Sequence, residues 1–141
     1  MDSLNKTFAA VEAALEKKAF DLQVMQVAHL SSVADYFVIA TGRSDVQVQA
    51  IARGIEERMD RASAHPLAIE GFKHGHWIVL DYDDLVIHIF FEPVRDFYRL
   101  ESNWTDAQVV SLPEPLQAQV RDLTLRPAAG RDHGFRIDSA Q

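Results

Sequence analysis

The stretch Trp77–Phe91 constrains the fold of this chain more than any other segment. It reads WIVLDYDDLVIHIFF and divides into two runs of β-prone residues, Trp77–Tyr82 and Leu85–Phe91. Asp83 and Asp84 join the runs, and aspartate favours tight turns because its side chain can hydrogen-bond the nearby backbone. The stretch therefore predicts a β-hairpin. Both runs are apolar at almost every position, which is typical of strands covered on both faces.

Helical and strand patterns alternate along the rest of the chain. An amphipathic helix is predicted over residues 3–19 with Ser3 as its N-cap, and a second helix runs from Ser44 or Asp45 to about Arg61. Further strands are predicted over residues 20–27, 35–41 and 67–70, and a last helix over residues 94–104. The order α-β-β-α-β-β-β-α predicts an α/β domain in which helices flank a mixed β-sheet.

Composition limits the classes of protein to consider. The chain has 141 residues, 48% of them hydrophobic, and no cysteine, which excludes disulfides, thiol catalysis and cysteine-ligated metals. Its longest apolar runs fall well short of the ~20 residues that a membrane span needs, and MDSLNKTF does not resemble a signal peptide. We expect a cytoplasmic protein with one domain over residues 1–110 and a flexible C-terminal tail over residues 111–141.

Negative charge is concentrated in the middle of the chain. The net charge is −7, and residues 35–106 hold 13 acidic and 7 basic residues, a net charge of −6. Binding to a phosphate backbone needs basic surface, so an acidic middle argues against direct nucleic-acid binding and favours a basic protein partner. The alternative is that the surplus acid only keeps the domain soluble.

Histidines suggest two further possibilities. His74 and His76 could form a metal site with a carboxylate such as Asp81, although histidines that flank a glycine in a turn are commonly just solvated. His88 interrupts an apolar strand. It is either a core histidine with a hydrogen-bond partner or a residue that faces a binding partner.

An alternative function follows from a turn and two aspartates. The Gly-x-Ser turn that ends at Ser44 lies at a predicted strand-to-helix junction, where backbone N–H groups could meet an anion. Asp81 and Asp83 could hold Mg²⁺, which together would suit a Mg-dependent nucleotidyltransferase using Ser44, Asp81 and Asp83. Neither motif is specific, because both aspartates can also be explained as turn residues.

Five spaced motifs resemble the ribosomal silencing factor (Iojap) family. They are residues 35–44 (DYFVIATGRS), 70–71 (EG), 77–82 (WIVLDY), 88–90 (HIF) and 95–107 (RDFYRLESNWTDA), and the resemblance covers roughly residues 5–107. It implies a nucleotidyltransferase-like topology without the catalytic residues. It also implies a non-enzymatic translation repressor, without a cofactor, that binds the large ribosomal subunit through its ribosomal protein fourteen. Bound there, the protein would sterically block joining of the small subunit.

Aromatic and acidic residues within these motifs are the predicted partner-binding residues, because tryptophan and tyrosine are over-represented as anchors of protein interfaces. Trp77, Asp81 and Tyr82 form the predicted centre, and the wider set adds five residues: Glu70, His88, Tyr98, Glu101 and Trp104. Packing of the last helix is the alternative role for its aromatic residues. A role in large-subunit assembly and a homodimer of the free protein are compatible with the family.

The chain departs from the family pattern at two places. The family usually has glycine where Asp83 stands, so Asp83 must adopt a left-handed conformation or the turn type must differ. The tail is also atypical. Its four basic residues are all arginine, and it is either an appendage or an added contact with ribosomal RNA.

Overall fold

A six-stranded mixed β-sheet organises residues 2–27, 34–98 and 108–109, which are the residues that this computed structural model describes. The sheet order is β3-β4-β5-β2-β1-β6. Only β2 and β5 pair in parallel, whereas the other neighbours are antiparallel. The elements in chain order are α1 (Ser3–Glu16), β1 (Phe20–Gln26), β2 (Tyr36–Gly42), α2 (Asp45–Arg61), β3 (Ala68–Glu70), β4 (Trp77–Asp81), β5 (Leu85–Phe91), α3 (Glu92–Tyr98) and β6 (Gln108–Val109). This architecture confirms the predicted α/β class, with a mixed sheet flanked by helices.

The helix termini follow local side-chain chemistry. Asp2, and not the predicted Ser3, caps α1 by accepting a hydrogen bond from the Asn5 backbone N–H at 2.8 Å. Ser44 caps α2 as predicted, through a bond from the Gln47 N–H at 3.1 Å. Helix α3 begins at Glu92, two residues earlier than predicted, and the predicted continuation to residue 104 lies outside the described residues. No helix in this part of the chain is long and apolar enough to cross a bilayer.

Helices α1 and α2 cover one face of the sheet and enclose the larger core. Leu80 and Ile87 come from the hairpin strands, and Val11 and Ile55 from the two helices. All four side chains are fully buried, and burial of one such side chain is worth about 1.5–3 kcal/mol. Arg58 joins the helices, because its two terminal nitrogens contact carboxylates of α1 at 2.7 Å each.

The hairpin is present, but its two strands differ in burial. β5 lies in the middle of the sheet and is buried from Leu85 to Phe90, as the continuous apolar pattern predicted. β4 instead alternates between buried and half-buried residues, so the prediction that both its faces are covered was wrong. The reason is its position, because β4 lies between β5 and the short edge strand β3, whose three residues are all exposed.

A buried arginine attaches α3 to the opposite face of the sheet. Arg95 is only 1% exposed and donates hydrogen bonds to the Asp21 carbonyl and the Thr41 hydroxyl. Its guanidinium also lies 3.9 Å from the Asp21 carboxylate. Asp21 sits at an irregularity in the β1–β2 pairing with φ +55°, which turns its backbone out of the regular ladder. The bulge and the arginine together hold the start of α3 against the sheet.

Candidate protein-binding surface

The face of β3 and β4 that points away from α1 and α2 brings several of the predicted partner-binding residues together. Alternation along β4 places Trp77, Val79 and Asp81 on this side. Glu70 pairs with Val79, and Ala68 with Asp81, so both lie on the same side. These five residues, which we call the β3–β4 face, are all exposed or half-buried.

Spacing within the β3–β4 face is set by the sheet. Trp77 and Asp81 are four residues apart on one strand, which corresponds to about 13 Å. Glu70 lies beside the midpoint between them, on a strand that runs about 5 Å away. An aromatic ring and two carboxylates therefore share one patch around the side chain of Val79. This combination suits a partner that offers basic side chains around an apolar contact.

Trp77 packs against two aromatic rings of the neighbouring strand β5. Its ring centre lies 4.9 Å from that of Phe90 and 6.0 Å from that of His88. The indole Nε1–H donates a hydrogen bond to His88 Nδ1 at 3.1 Å. Trp77 is thus half-buried, with its polar edge turned towards the sheet.

His88 lies beneath Trp77 and has little access to a partner. It is 8% exposed, and its ring contacts Phe37 edge-on at 5.3 Å between ring centres. Burial lowers the pKa of His88 from 6.5 to about 4, so the imidazole is neutral at pH 7. Because Nδ1 accepts the indole proton, the ring proton sits on Nε2. The structure favours a supporting role for His88 over direct contact.

Asp81 combines a turn function with exposure on the β3–β4 face. One carboxylate oxygen accepts a hydrogen bond from the Asp83 backbone N–H at 2.8 Å. The other oxygen makes no hydrogen bond to any described residue. Asp83 itself has φ +77°, so the left-handed conformation is the one adopted of the two alternatives that follow from the loss of the family glycine. The salt bridge between Lys6 and Asp84, at 2.8 Å, ties the same turn to α1.

Tyr82 does not lie on the β3–β4 face, which corrects the prediction that its side chain contacts a partner. The following position on the strand points to the other side of the sheet, where Tyr82 joins the core beneath α2 and is 3% exposed. Its hydroxyl is buried without a hydrogen-bond partner among the described residues. Burial raises the pKa of Tyr82 to about 12, with a further contribution from the carboxylates of Glu56 and Asp60.

The remaining predicted partner-binding residues lie outside the residues whose side chains the structure describes. Tyr98 is the last residue of α3, and Glu101 and Trp104 lie outside the described residues. Sequence reasoning did not include Val79 or Ala68 in the surface. The sequence carries no signal for them, because the run is apolar almost throughout; the alternation of burial along β4 and its pairing with β3 place them there.

The structure contradicts the nucleotidyltransferase alternative. Ser44 follows β2, whereas Asp81 ends β4 and Asp83 lies in the turn that precedes β5. Since β2 and β5 are parallel and in register from Tyr36–Leu85 to Gly42–Phe91, the two sets lie at opposite ends of these strands, about 20 Å apart. They cannot share one metal-bound nucleotide.

The proposed histidine metal site also fails on geometry. The rings of His74 and His76 are 6.5 Å apart at one end of β4, whereas Asp81 ends the same strand. Within residues 2–27 and 34–98, no three histidine, aspartate or glutamate side chains are grouped so that they could hold a metal ion.

Comparisons with known proteins agree on one family. The family model "Ribosomal silencing factor during starvation" matches residues 1–134, further than the motifs at residues 5–107 predicted. The chain is 40% identical to "Ribosomal silencing factor RsfS" of Bacillus subtilis over 103 residues, which cover 73% of this chain and 87% of that protein. It is 32% identical to "Protein Iojap, chloroplastic" of Arabidopsis thaliana over 86% of this chain and 50% of that protein.

A solved structure supports the same assignment. The crystal structure of a protein from Chromobacterium violaceum superposes with a TM-score of 0.73 at 29% sequence identity, covering 79% of this chain and 92% of that chain. The fold, the sequence motifs and the match over residues 1–134 thus all indicate the same family. The chain belongs to the ribosomal silencing factor family, whose members are ribosome-associated regulators of translation.

Proposed function

We propose that this protein represses translation by binding the large ribosomal subunit through ribosomal protein fourteen of that subunit. Bound at the face that meets the small subunit, it blocks subunit joining by its bulk. The protein acts by occupancy and needs neither a cofactor nor a chemical step. Family membership supports the association with ribosomes, and the surface of the sheet suggests where the contact forms.

The observation that carries the proposal is the position of Glu70, Trp77 and Asp81 on one face of the sheet, away from α1 and α2. Tryptophan is over-represented among residues that dominate binding energy, because it buries a large rigid surface. The two carboxylates flank this anchor and can orient basic groups of the partner. The Glu70 side chain has no hydrogen bond or ion pair to any described residue, so a partner can bind it without breaking an existing contact.

Charge supports a protein partner over RNA. The segment 35–106, which supplies β2–β5, α2 and α3, has a net charge of −6. A segment with this net charge repels phosphates and attracts basic proteins, and opposite charges raise the rate of productive encounters. A stable interface buries about 1,600 Å² in total, so the β3–β4 face would be its centre and neighbouring segments its rim.

Co-sedimentation with purified large subunits tests the proposal. Trp77→Ala should weaken binding by at least about 30-fold, the size expected for a central anchor worth 2 kcal/mol or more. Asp81→Arg should weaken it by at least about tenfold, because it places a positive charge against a basic partner. Both variants should also lose the ability to prevent subunit joining, measured as the fraction of joined ribosomes on a sucrose gradient.

Two control variants carry comparable changes, a truncation to alanine and a charge reversal to arginine, on the other side of the sheet. Val46→Ala removes an exposed apolar side chain of α2 that is 68% exposed, and Glu57→Arg reverses an exposed charge of α2. Both should bind like the wild type. Equal binding by wild type, Trp77→Ala and Asp81→Arg would show that the β3–β4 face is not the contact. A pull-down with isolated ribosomal protein fourteen then identifies the component that is bound.

Three finer expectations belong to the same proposal. The domain is expected to span residues 1–110 with a tail over residues 111–141, a homodimer of the free protein is compatible with the family, and so is a role in large-subunit assembly. Sedimentation velocity of the full chain measures the second directly, and limited proteolysis tests the first. Gradient profiles after depletion of the protein separate silencing from assembly, since an assembly role requires accumulation of large-subunit precursors.

A further inference from the structure

We propose that His88 is a positioning residue, which holds the Trp77 indole in the orientation that the β3–β4 face presents to its partner. The inference rests on the proposed function for the identity of the partner, but the positioning itself is a property of the free protein. It assigns to His88 a role that acts through Trp77 and not through contact with the ribosome.

The sheet register makes the two residues diagonal neighbours. Trp77 pairs with Phe90, and His88 pairs with Val79, so His88 lies one step along the same face from the tryptophan. Diagonal neighbours on antiparallel strands are within reach of aromatic side chains. The hydrogen bond from indole Nε1 to imidazole Nδ1, at 3.1 Å, uses this proximity.

Aromatic neighbours fix the imidazole itself. Phe37 contacts the His88 ring edge-on at 5.3 Å, and Phe90 lies nearly parallel to it at 6.3 Å with 12° between the ring planes. Ile39 on β2 and Val79 on β4 flank it across the strands. An imidazole held on all these sides is a rigid acceptor, and a rigid acceptor selects one orientation of the indole that donates to it.

A leucine at position 88 would pack in this apolar layer without needing a hydrogen-bond partner, unlike a histidine. Neutral imidazole in an apolar layer is costly unless it is hydrogen-bonded, and the indole N–H is the partner of its Nδ1. The bond gives a half-buried tryptophan a defined orientation. Immobilising a mobile side chain during binding weakens the affinity about two- to tenfold, and a side chain that is already held avoids this loss.

The free protein provides the first test. The indole N–H signal of Trp77 is identified in ¹⁵N-correlated NMR spectra by its absence from Trp77→Phe. In the wild type it should be shifted by the hydrogen bond and exchange slowly with solvent. His88→Leu should move it towards the position of a solvated indole and speed its exchange at least about tenfold. His88→Asn, which offers an amide oxygen near the former position of Nδ1, should restore part of both effects.

Binding to purified large subunits provides the second test, through a double-mutant cycle. His88→Leu should weaken binding about two- to tenfold in the wild-type background, as expected for the loss of one pre-oriented side chain. The same change should have no effect in the Trp77→Phe background, which lacks the donor N–H. His88→Asn should bind more tightly than His88→Leu. Urea unfolding of each variant confirms that it is folded under the assay conditions.

Two results would overturn the inference. An unchanged indole signal in His88→Leu would show that His88 does not hold the ring, independently of any result on ribosome binding. Equal losses of binding in the two backgrounds would show that His88 acts independently of Trp77. Failure of the proposed function is distinguishable from both results, because the wild type itself would then not bind large subunits. The NMR comparison of the free proteins would still test the positioning role.

Discussion

Lowering the pH from 7 to 4 should remove about 3 kcal/mol of folding free energy through His88 alone. The pKa of this imidazole falls from 6.5 in the unfolded chain to about 4 in the folded protein, because burial disfavours the charged form. One unit of difference corresponds to about 1.4 kcal/mol. Since the folded pKa is the lower one, the contribution is complete above pH 6.5 and is lost as the pH falls towards 4.

The structure explains why the protonated form is so unfavourable. A second proton would have to go onto Nδ1, the atom that accepts the Trp77 N–H bond, and would place a charge in a site that is 8% exposed. Phe37 and Phe90 surround the ring but offer no carboxylate. On the same side of the sheet, Asp81 and Glu70 belong to the β3–β4 face, and neither is hydrogen-bonded or ion-paired to the imidazole.

Urea unfolding between pH 4.0 and 7.5 measures this effect, with His88→Asn as the non-titrating control. Carboxylates contribute to the pH dependence of both proteins, so the difference between the two curves isolates the histidine. The wild type should lose about 3 kcal/mol more than the variant across this range. Parallel curves would refute the reasoning, because they would mean that His88 has the same pKa in the folded and unfolded chains.

Three further substitutions test separate parts of the structure by thermal or urea unfolding. Asp83→Gly should stabilise the protein by about 0.5–1 kcal/mol, because glycine adopts φ +77° without steric cost; a loss of stability would mean that the turn is not left-handed at this residue. Tyr82→Phe should leave stability unchanged or raise it by up to about 1 kcal/mol, since it removes a buried hydroxyl that lacks a partner, and should not affect ribosome binding. Arg95→Met should lower the free energy of unfolding by about 2–4 kcal/mol, because the Asp21 and Thr41 oxygens would lose a buried donor. A loss below about 0.5 kcal/mol would show that this anchor of α3 is dispensable.

Local patterns along the chain were sufficient to predict most of the fold. The alternation of apolar residues, the Ser44 cap and the Asp83–Asp84 turn predicted both long helices, the hairpin and the order of elements, because these features depend on residues a few positions apart. The β1–β6 pairing could not be predicted in this way. It joins Met25 to Val109, and a two-residue strand has no pattern of its own.

The candidate surface was predicted only in part, because burial depends on which strands are neighbours. Trp77, Asp81 and Glu70 were selected from family motifs, and the sheet brings them onto one face. Tyr82 was selected from the same motif, but a single step along the strand turns it to the opposite face and into the core. The motif alone does not distinguish these two outcomes.

The sequence and the tertiary structure therefore determined different features of this protein. By itself the sequence determined the α/β class, the acidic middle, the hairpin and the resemblance to ribosomal silencing factors, since each depends on composition or on short-range spacing. Only the tertiary structure decided that Ser44 and Asp81 lie too far apart to form one site and that His88 supports Trp77. Both conclusions depend on strand order and register. These two properties are determined jointly by residues that are distant in the sequence, when the sheet forms.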